Sequence, residues 1–320
     1  MAHISYRTLG TSGLMVSSVG LGCNNFGRAN TASESPEGTK AVVDAAIDAG
    51  VTLFDTADIY GATPGLSETL MGDALQGKRD GIVLATKFGM DMGGANGPDW
   101  GARGSRRYVR RAVEASLTRL RTDWIDLYQL HAPDPNTPIE ETLDVLDDLI
   151  TEGKVRYIGH SNLAGWQIAD ADYVARLGSH PRFVSAQNEY SLLARDAENE
   201  VLPAVRHYGL GFLPFFPLYN GLLTGKYTRE GGPADGRLTT AKPQVLADAP
   251  WDVLDTFQAF CDARGVSMLA ATFAWLLAQP ALSSVIAGAS RPEQITGNVE
   301  AAAAWNPSPD EIAVITEIFS

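Results

Sequence analysis

Side chains that could transfer a proton lie at the ends of three successive apolar runs of the sequence. They are Asp55 and Tyr60 after the first run, Lys87 in the second and His131 after the third. Neighbouring strands lie about 4.8 Å apart, so three adjacent strand ends can bring these groups together. Each residue alone could be structural, as a rim salt bridge, a core histidine, a loop cap or a packed ring. Their coincidence at three strand ends favours a site of acid catalysis.

Together the four side chains could form a proton donor. A free tyrosine has a pKa of about 10 and is a slow acid near neutrality. An ammonium beside the Tyr60 hydroxyl favours the phenolate, so Lys87 is expected to lower the pKa of Tyr60. Asp55 would neutralise Lys87, because an uncompensated buried lysine loses its proton. His131 would donate a hydrogen bond to an incoming oxygen or help to relay a proton. Hydride addition to a carbonyl creates the negatively charged oxygen that such a set could protonate.

Apolar runs typical of strands alternate along the chain with amphipathic stretches of helical periodicity. Residues Ile4 to Gly22 predict a hairpin, with its turn at residues 11–13, that runs into a strand. The predicted strands are Val19–Leu21, Thr52–Asp55, Ile82–Lys87, Ile125–Leu130, Tyr157–Gly159, Val184–Gln187, Gly211–Pro214 and Ser284–Ile286. The predicted helices are Lys40–Ala49, Arg106–Leu120 and Ile139–Glu152, the last followed by Gly153 in a left-handed conformation.

This alternation predicts parallel strands with helical crossovers, and about eight strands close a (β/α)8 barrel. We therefore expect an α/β protein, a TIM barrel with an N-terminal β-hairpin, forming a single domain over residues 1–320. An open doubly wound sheet is the alternative, but the segment Gly20–Asn25 lacks the third glycine of its fingerprint. The loops Phe88–Ser105 and Tyr219–Ala249 are long and without periodicity, and both follow strands at the end where barrels hold active sites.

Composition excludes several classes of protein. The chain has 320 residues, 45% of them hydrophobic, and a net charge of −13. A nucleic-acid partner is not expected, because phosphate binding needs clustered lysine and arginine. The two cysteines and five histidines form no zinc spacing, so no metal site is predicted. No signal peptide and no apolar stretch of membrane-spanning length is visible, which indicates a cytoplasmic protein without a membrane partner.

The residues at the three strand ends resemble the catalytic motifs of the aldo-keto reductase superfamily. The resemblance covers essentially the whole chain, and the long second loop is most similar to the bacterial and potassium-channel-beta-like branches. The matching segments are Phe54-Asp55-Thr56-Ala57 with Tyr60-Gly61, Thr86-Lys87, Leu130-His131, residues 6–10 and 17–22, residues 153–159 with Ser161-Asn162, Gln187-Asn188-Glu189-Tyr190 and Gly225-Lys226-Tyr227.

The resemblance implies a barrel that binds a nicotinamide dinucleotide in extended form and reduces the carbonyl of a small molecule. It gives Tyr60 the role of general acid, Lys87 and Asp55 the role of tuning it, and His131 the role of orienting the carbonyl. It also implies a set of cofactor-binding residues, in which Phe215 stacks on the nicotinamide and is followed by Phe216 where the family usually has Ser. That set is Ser161, Asn162, Gln187, Phe215, Leu218, Gly221, Leu223, Gly225, Lys226, Gly288, Ser290, Arg291, Gln294 and Asn298.

Within this resemblance, Ser290, Arg291 and Gln294 are suitable partners for the 2′-phosphate of adenosine at the start of a helix. NADPH is therefore expected rather than NADH. Substrate contacts are expected from Asn24, Asn25 and Trp100. No catalytic role is expected for His160.

Two other functions stay open at this point. The chain could be a cofactor-binding regulatory or redox-sensing subunit with weak catalysis, although the complete set of four catalytic residues argues against that. A metal-dependent barrel hydrolase is disfavoured, because no H-x-H or H-E-x-x-H motif occurs. The substrate, the preferred direction of reaction and the oligomeric state do not follow from the sequence.

Overall fold

A computed structural model describes residues 4–234 and 236–320 of the chain. Met1–His3 and Asp235, which the predicted single domain includes, lie outside the described residues. The chain opens with the predicted hairpin, in which β1 (Tyr6–Thr8) and β2 (Met15–Ser17) pair antiparallel.

Eight parallel strands follow and form one sheet. Hydrogen bonds from Phe212 N to Ala281 O (2.8 Å) and from Ser283 N to Phe212 O (3.0 Å) join the two edges of the sheet. The sheet therefore closes into the predicted (β/α)8 barrel, and the open doubly wound alternative is wrong. In spatial order the strands are β10 (Val285–Gly288), β3 (Val19–Gly22), β4 (Leu53–Asp55), β5 (Val83–Phe88), β6 (Ile125–Leu130), β7 (Val155–Ser161), β8 (Ser185–Gln187) and β9 (Gly211–Phe212).

The helices lie outside the barrel. The predicted bounds of α3 are confirmed to the residue, and Gly153 has the predicted positive φ of 75°. The helices are α1 (Pro36–Asp48), α2 (Leu66–Ala74), α3 (Arg106–Leu120), α4 (Ile139–Thr151), α5 (Gly165–Gly178), α6 (Val201–Tyr208), α7 (Arg237–Thr240), α8 (Pro243–Ala247), α9 (Trp251–Asp262), α10 (Met268–Leu277), α11 (Pro292–Ala304) and α12 (Pro309–Ile318).

Several predicted bounds were wrong for identifiable reasons. Helix α1 begins at Pro36 rather than Lys40, because the Ser35 side chain accepts a hydrogen bond from Gly38 N and caps a polar first turn. Strand β9 ends at Phe212 rather than Pro214, since proline has no N–H for the ladder. Strand β7 extends beyond the predicted Tyr157–Gly159 at both ends.

The two long loops differ in structure. Residues 89–105, all of which the structure describes, form no helix or strand. The second predicted loop, Tyr219–Ala249, instead contains a 3-10 segment at Tyr219–Thr224 and the short helices α7 and α8. The mixed composition of this segment shows no apolar periodicity from which such short helical turns could be predicted.

The barrel interior is apolar at one end and polar at the other. The side chains that fill the apolar end come from the hairpin and from alternate strand positions: Leu9, Val16, Leu53, Ala85, Leu127, Leu213 and Ile286. Strand alternation sends every second side chain to the same face. Asp55, Lys87 and Gln129 each follow an interior residue by two positions, so they form the next layer at the carboxyl ends of the strands.

Candidate active site

The centre of the site is a buried ion pair between neighbouring strands. Lys87 Nζ lies 2.7 Å from Asp55 Oδ2 and donates a second hydrogen bond to the Thr56 carbonyl oxygen at 2.8 Å. Lys87 is fully buried and Asp55 is 3% exposed. Burial tends to lower the pKa of Lys87, but Asp55 and Tyr60 outweigh it and raise that pKa. Lys87 is therefore held as an ammonium ion.

Tyr60 lies against this ammonium, as the sequence predicted. Lys87 Nζ is 5.1 Å from the centre of the Tyr60 ring, and its charge acts on the pKa of the hydroxyl. The predicted direction of the pKa shift is wrong, however. Burial raises the pKa of Tyr60 and exceeds the lowering by Lys87, because desolvation disfavours the phenolate. Tyr60 is therefore a protonated phenol that lies beside a cation.

His131 completes the predicted set of four. Its ring meets the Tyr60 ring edge-on, with 5.8 Å between centres. Burial, with the nearby charge of Lys87, lowers the pKa of His131 to about 3, so the imidazole is neutral. Its Nδ1 has no hydrogen-bond partner among the described residues. A neutral imidazole has one donor and one acceptor and can hold a carbonyl oxygen without carrying charge.

Gln129 is part of the site, although the motif-based prediction omitted it. Gln129 Nε2 donates to Asp55 Oδ1 at 3.1 Å, and Gln187 Nε2 donates to the same oxygen at 3.0 Å. Both carboxylate oxygens of Asp55 therefore have partners. The available signal was strand alternation, which places Gln129 on the interior face with Leu127. We call Asp55, Tyr60, Lys87, Gln129 and Gln187 the inner cluster.

The residues predicted to hold the nicotinamide amide lie beside this cluster. Asn162, with a positive φ of 61°, donates from Nδ2 to the His131 carbonyl oxygen at 2.9 Å and to Ser161 Oγ at 3.0 Å. Ser161 and Gln187 are buried at the ends of the adjacent strands β7 and β8. The structure thus brings Ser161, Asn162 and Gln187 together with His131.

The segment after β9 is held in a tight turn. Phe215 N donates to Asn188 O at 3.1 Å, which sets Phe215 beside the end of β8. The Leu218 carbonyl oxygen accepts from the amides of Gly221 and Leu223 at 2.9 and 3.2 Å. Gly225 has a φ of 78°, and a Cβ atom at Gly221 would lie 3.3 Å from Lys226 Nζ. The predicted cofactor residues of this segment therefore lie in one compact loop.

The predicted phosphate site lies at the start of α11. The Gln294 Oε1 atom accepts from Ser290 N at 2.7 Å and from Arg291 N at 3.3 Å. Gln294 thus takes the amide donors that an anion would use. Asn298 is buried one turn further on, and a Cβ atom at Gly288 would lie 3.1 Å from Asn25 Nδ2.

The predicted substrate residues have different surroundings. Asn24 Oδ1 accepts a hydrogen bond from Arg28 at 3.4 Å, and Asn25 lies against Gly288. Trp100 is 74% exposed, and its ring lies 4.1 Å from the Arg107 guanidinium. Asn24 and Asn25 directly follow Cys23, whose N donates to Asp55 O at 2.8 Å.

The residues present fit a nicotinamide dinucleotide. Among the described residues, the buried polar atoms His131 Nδ1, Asn188 Oδ1 and Asn220 Oδ1 lack partners, and all three follow the carboxyl ends of barrel strands. Phe216, Tyr219 and Asn220 have positive φ angles, so the backbone there is held in a sparsely populated conformation. Such strain is common where a loop binds a ligand.

A second buried set of charges lies on the outer side of β5. The Glu68 carboxylate accepts from Thr86 Oγ1 at 2.6 Å and from Arg119 Nε at 2.7 Å. Asn96, in the loop after β5, accepts from Arg119 at 3.2 Å and donates to Asp58 Oδ2 at 3.0 Å. We call Asp58, Glu68, Thr86, Asn96 and Arg119 the outer cluster. It links the loop after β5 to helices α2 and α3.

The outer cluster carries two carboxylates and one guanidinium. Burial, with the nearby charge of Glu68, raises the pKa of Asp58 to about 8. Asp58 Oδ1 has no partner among the described residues. At neutral pH the Asp58 carboxyl group is therefore protonated. The sequence analysis did not single out any member of this cluster as a site residue.

Comparison with known proteins agrees with this architecture. The Aldo/keto reductase family model matches residues 18–319. The chain is 38% identical to the uncharacterized oxidoreductase YrpG of Bacillus subtilis, over 93% of this chain and 91% of that protein. It is 34% identical to the L-glyceraldehyde 3-phosphate reductase of Escherichia coli strain K12, over 98% and 92%. It is 35% identical to a probable voltage-gated potassium channel subunit beta of rice, over 93% and 91%.

The chain therefore belongs to the aldo/keto reductase family, and it is an oxidoreductase of that family. Members of this family generally use a nicotinamide cofactor and act on small carbonyl compounds. Among the described helices, none is long and apolar enough to cross a membrane. The described residues also contain no group of three or more histidine, cysteine, aspartate or glutamate side chains placed to hold a metal ion.

Proposed function

We propose that this protein reduces aldehydes or ketones to alcohols with NADPH, using Tyr60 as the general acid. The observation that carries the proposal is the buried Lys87 ammonium, which lies 5.1 Å from the centre of the Tyr60 ring and is itself paired with Asp55 at 2.7 Å. Bound NADPH would supply hydride to the carbonyl carbon. We also propose that the protein works in the cytoplasm.

Each residue of the site has a role in this reaction. The neutral His131 would hold the carbonyl oxygen by a hydrogen bond, so that the oxygen lies next to the Tyr60 hydroxyl. As hydride arrives, negative charge grows on that oxygen and Tyr60 gives up its proton. Lys87 stabilises the phenolate that results, because an adjacent ammonium favours the charged form. Asp55 keeps Lys87 charged and fixed, and is itself fixed by Gln129 and Gln187.

The raised pKa of Tyr60 is consistent with this role. A general acid must carry its proton before the reaction starts, and burial ensures that it does. The preference for NADPH over NADH is supported by Ser290 and Arg291 at the start of α11, where backbone N–H groups favour an anion. Gln294, which occupies those donors, would have to turn away for the 2′-phosphate to bind.

The test replaces Tyr60 by phenylalanine. Tyr60→Phe keeps the ring and its contacts but removes the transferable proton, so turnover of an aldehyde panel should fall by about a thousand-fold or more. NADPH affinity, followed by fluorescence titration, should stay within about two-fold. Aldehyde reduction is measured as the consumption of NADPH, and the same assay is run in parallel with NADH.

Near-normal turnover by Tyr60→Phe would remove Tyr60 from this role. A regulatory subunit is the second candidate, favoured by the 35% identity to the rice potassium channel subunit beta. If the unaltered protein binds NADPH but turns over no member of the panel, that candidate replaces the enzyme.

A further inference from the structure

Helix α5 presents a stripe of large apolar side chains to solvent. Trp166, Tyr173 and Leu177 are 66%, 64% and 70% exposed, and they are three of the four most exposed large hydrophobic side chains among the described residues. They occupy positions i, i+7 and i+11 of one helix, which places them within about 40° of arc on the same side. We call these three residues the α5 stripe. Single exposed hydrophobic residues need no explanation, whereas a contiguous set indicates an interaction surface.

The α5 stripe is not the face by which the helix packs on the barrel. That face is formed by Ile168, Ala171 and Ala175, which are buried and lie on the opposite side of the helix from the stripe. Helix α5 is therefore apolar on two sides, although only one of them packs within the chain. Helices that are apolar all round are usually buried all round, so the second side calls for a partner.

The charges around the α5 stripe are balanced, unlike those of the protein as a whole. Asp172 pairs with Arg176 at 2.6 Å and also pairs with Arg182. Exposed Asp170 forms no salt bridge, and the Tyr173 hydroxyl no hydrogen bond, with any described residue. Because the net charge is −13, copies of this chain repel one another over most of their surface. At α5 two copies can approach with little repulsion.

The α5 stripe is complementary to itself when two α5 helices run antiparallel. In the register that sets Trp166 against Leu177 of a second copy, Tyr173 stands against Asp170 of that copy. The apolar ends then cover each other, and the phenol can donate to the carboxylate. Two-fold symmetry makes each contact occur twice. A parallel pair would instead set Asp170 against its own copy, and like charges repel.

We infer that two copies of this protein associate through α5, with the two helices antiparallel about a two-fold axis. The exposed area of the three side chains is about 350 Å² per copy, roughly half of what a standard interface buries on each side. The dimer therefore dissociates readily, in the micromolar range of protein concentration. Antiparallel helices point the active-site ends of the two barrels in opposite directions. The association is thus independent of the proposed reaction.

Sedimentation velocity from low to high micromolar protein concentration tests the inference. A monomer–dimer equilibrium is expected, and added salt should favour the dimer because it screens the repulsion between two acidic copies. Leu177→Glu introduces a carboxylate into the stripe and should weaken association at least about ten-fold. The matched control is Val314→Glu at an exposed position of α12, which should change association by less than about two-fold. Unaltered unfolding midpoints verify that both variants fold.

Cross-linking tests the direction of the helices. The native Cys23 and Cys261 are buried, so a cysteine introduced on α5 is the accessible thiol. A mixture of Trp166→Cys and Leu177→Cys should form a disulfide-linked dimer under mild oxidation. Either variant alone should form little, because the two copies of each position would lie about 16 Å apart along the antiparallel helices.

Three outcomes overturn the inference. One is a protein that stays monomeric at every concentration, and another is a dimer that Leu177→Glu leaves as tight as before. Strong cross-linking of Leu177→Cys with itself would show parallel helices and would overturn the arrangement. A monomer that binds phosphatidylcholine vesicles through Leu177 would assign the stripe to a membrane surface instead. None of these results bears on aldehyde reduction, which is assayed separately.

Discussion

The inner and outer clusters lie on opposite sides of strand β5 and differ in their balance of charge. Lys87 faces the barrel interior and the adjacent Thr86 faces the helices, so one strand contributes to both. The inner cluster pairs one ammonium with one carboxylate, and both oxygens of Asp55 accept hydrogen bonds. The outer cluster has two carboxylates for one guanidinium.

This difference decides which groups stay ionised. In the inner cluster the pKa of Lys87 is raised, so the charge is retained despite complete burial. In the outer cluster the pKa of Asp58 is raised to about 8, so one carboxyl group stays neutral. Burial penalises every charge, and only a matched partner overcomes the penalty. The inner cluster is thus suited to chemistry, whereas the outer cluster joins a loop to two helices.

The largest expected effect follows from removing the inner cation. Lys87→Met leaves Asp55 as an unpaired buried carboxylate, which should lower the free energy of unfolding by about 3–5 kcal/mol. Aldehyde turnover should disappear as well, since Tyr60 loses the charge that stabilises its phenolate. Denaturant unfolding and NADPH consumption are the two measurements.

The double variant Asp55→Asn/Lys87→Met separates these two losses. It removes both charges, so stability should largely return while turnover stays absent. Recovery of turnover together with stability would mean that the inner ion pair is structural and has no part in catalysis.

A smaller effect is expected from removing the outer cation. Arg119→Met leaves Glu68 without its guanidinium and should lower the free energy of unfolding by about 3 kcal/mol. Turnover per folded molecule should fall much less than in Lys87→Met, because Arg119 does not contact Tyr60, Lys87 or Asp55 in any described interaction. The matched double variant Glu68→Gln/Arg119→Met should recover both stability and turnover. A variant that is stable but inactive would contradict the division between the clusters.

The smallest effect concerns the pH dependence of stability. Asp58 is ionised in the unfolded chain above its ordinary pKa of 3.8 but protonated in the folded protein up to about pH 8. The folded state therefore binds one more proton between these values, and stability falls as the pH rises through this window. Asp58→Asn removes this slope, which is about 1.4 kcal/mol per pH unit, so its stabilising effect should grow with pH across the window.

The measurement compares the unfolding midpoints of the unaltered protein and of Asp58→Asn between about pH 4 and about pH 8. These limits correspond to the pKa of Asp58 in the unfolded and in the folded protein. The difference should be negligible at the acid end and should grow with pH. Lys87 contributes no slope in this window, because its pKa is raised from 10.5 and its stabilisation is lost only at higher pH. Parallel curves for the two proteins would show that Asp58 is ionised in the folded state.

The parts of the site that the sequence predicted are those that depend on strand ends. Asp55, Lys87 and His131 were placed together because a parallel barrel aligns the carboxyl ends of its strands. Arg119 and Glu68 are 51 positions apart, and Gln129 and Asp55 are 74 apart. Such pairs follow from the register of neighbouring elements, which apolar periodicity does not specify.

The structure differs from the sequence prediction in two other respects, and each difference has a physical cause. The pKa of Tyr60 was predicted to fall because the sequence shows the charged neighbour but not the depth of burial, and burial is the larger cause. The turns of α7 and α8 were missed because elements of four and five residues have too few positions for a periodic pattern.

The hairpin at the start of the chain has a consequence for the order of binding. Thr11 N donates to Gly209 O at 2.9 Å, and Gly10 approaches Gly211 so closely that a Cβ atom would lie 2.5 Å from its N. Leu9 and Val16 fill the barrel interior at this end and close it. The proposed cofactor and substrate would therefore both enter from the opposite end. Because cofactor and substrate would enter through the same opening, the one that lies deeper in the barrel should bind first and dissociate last.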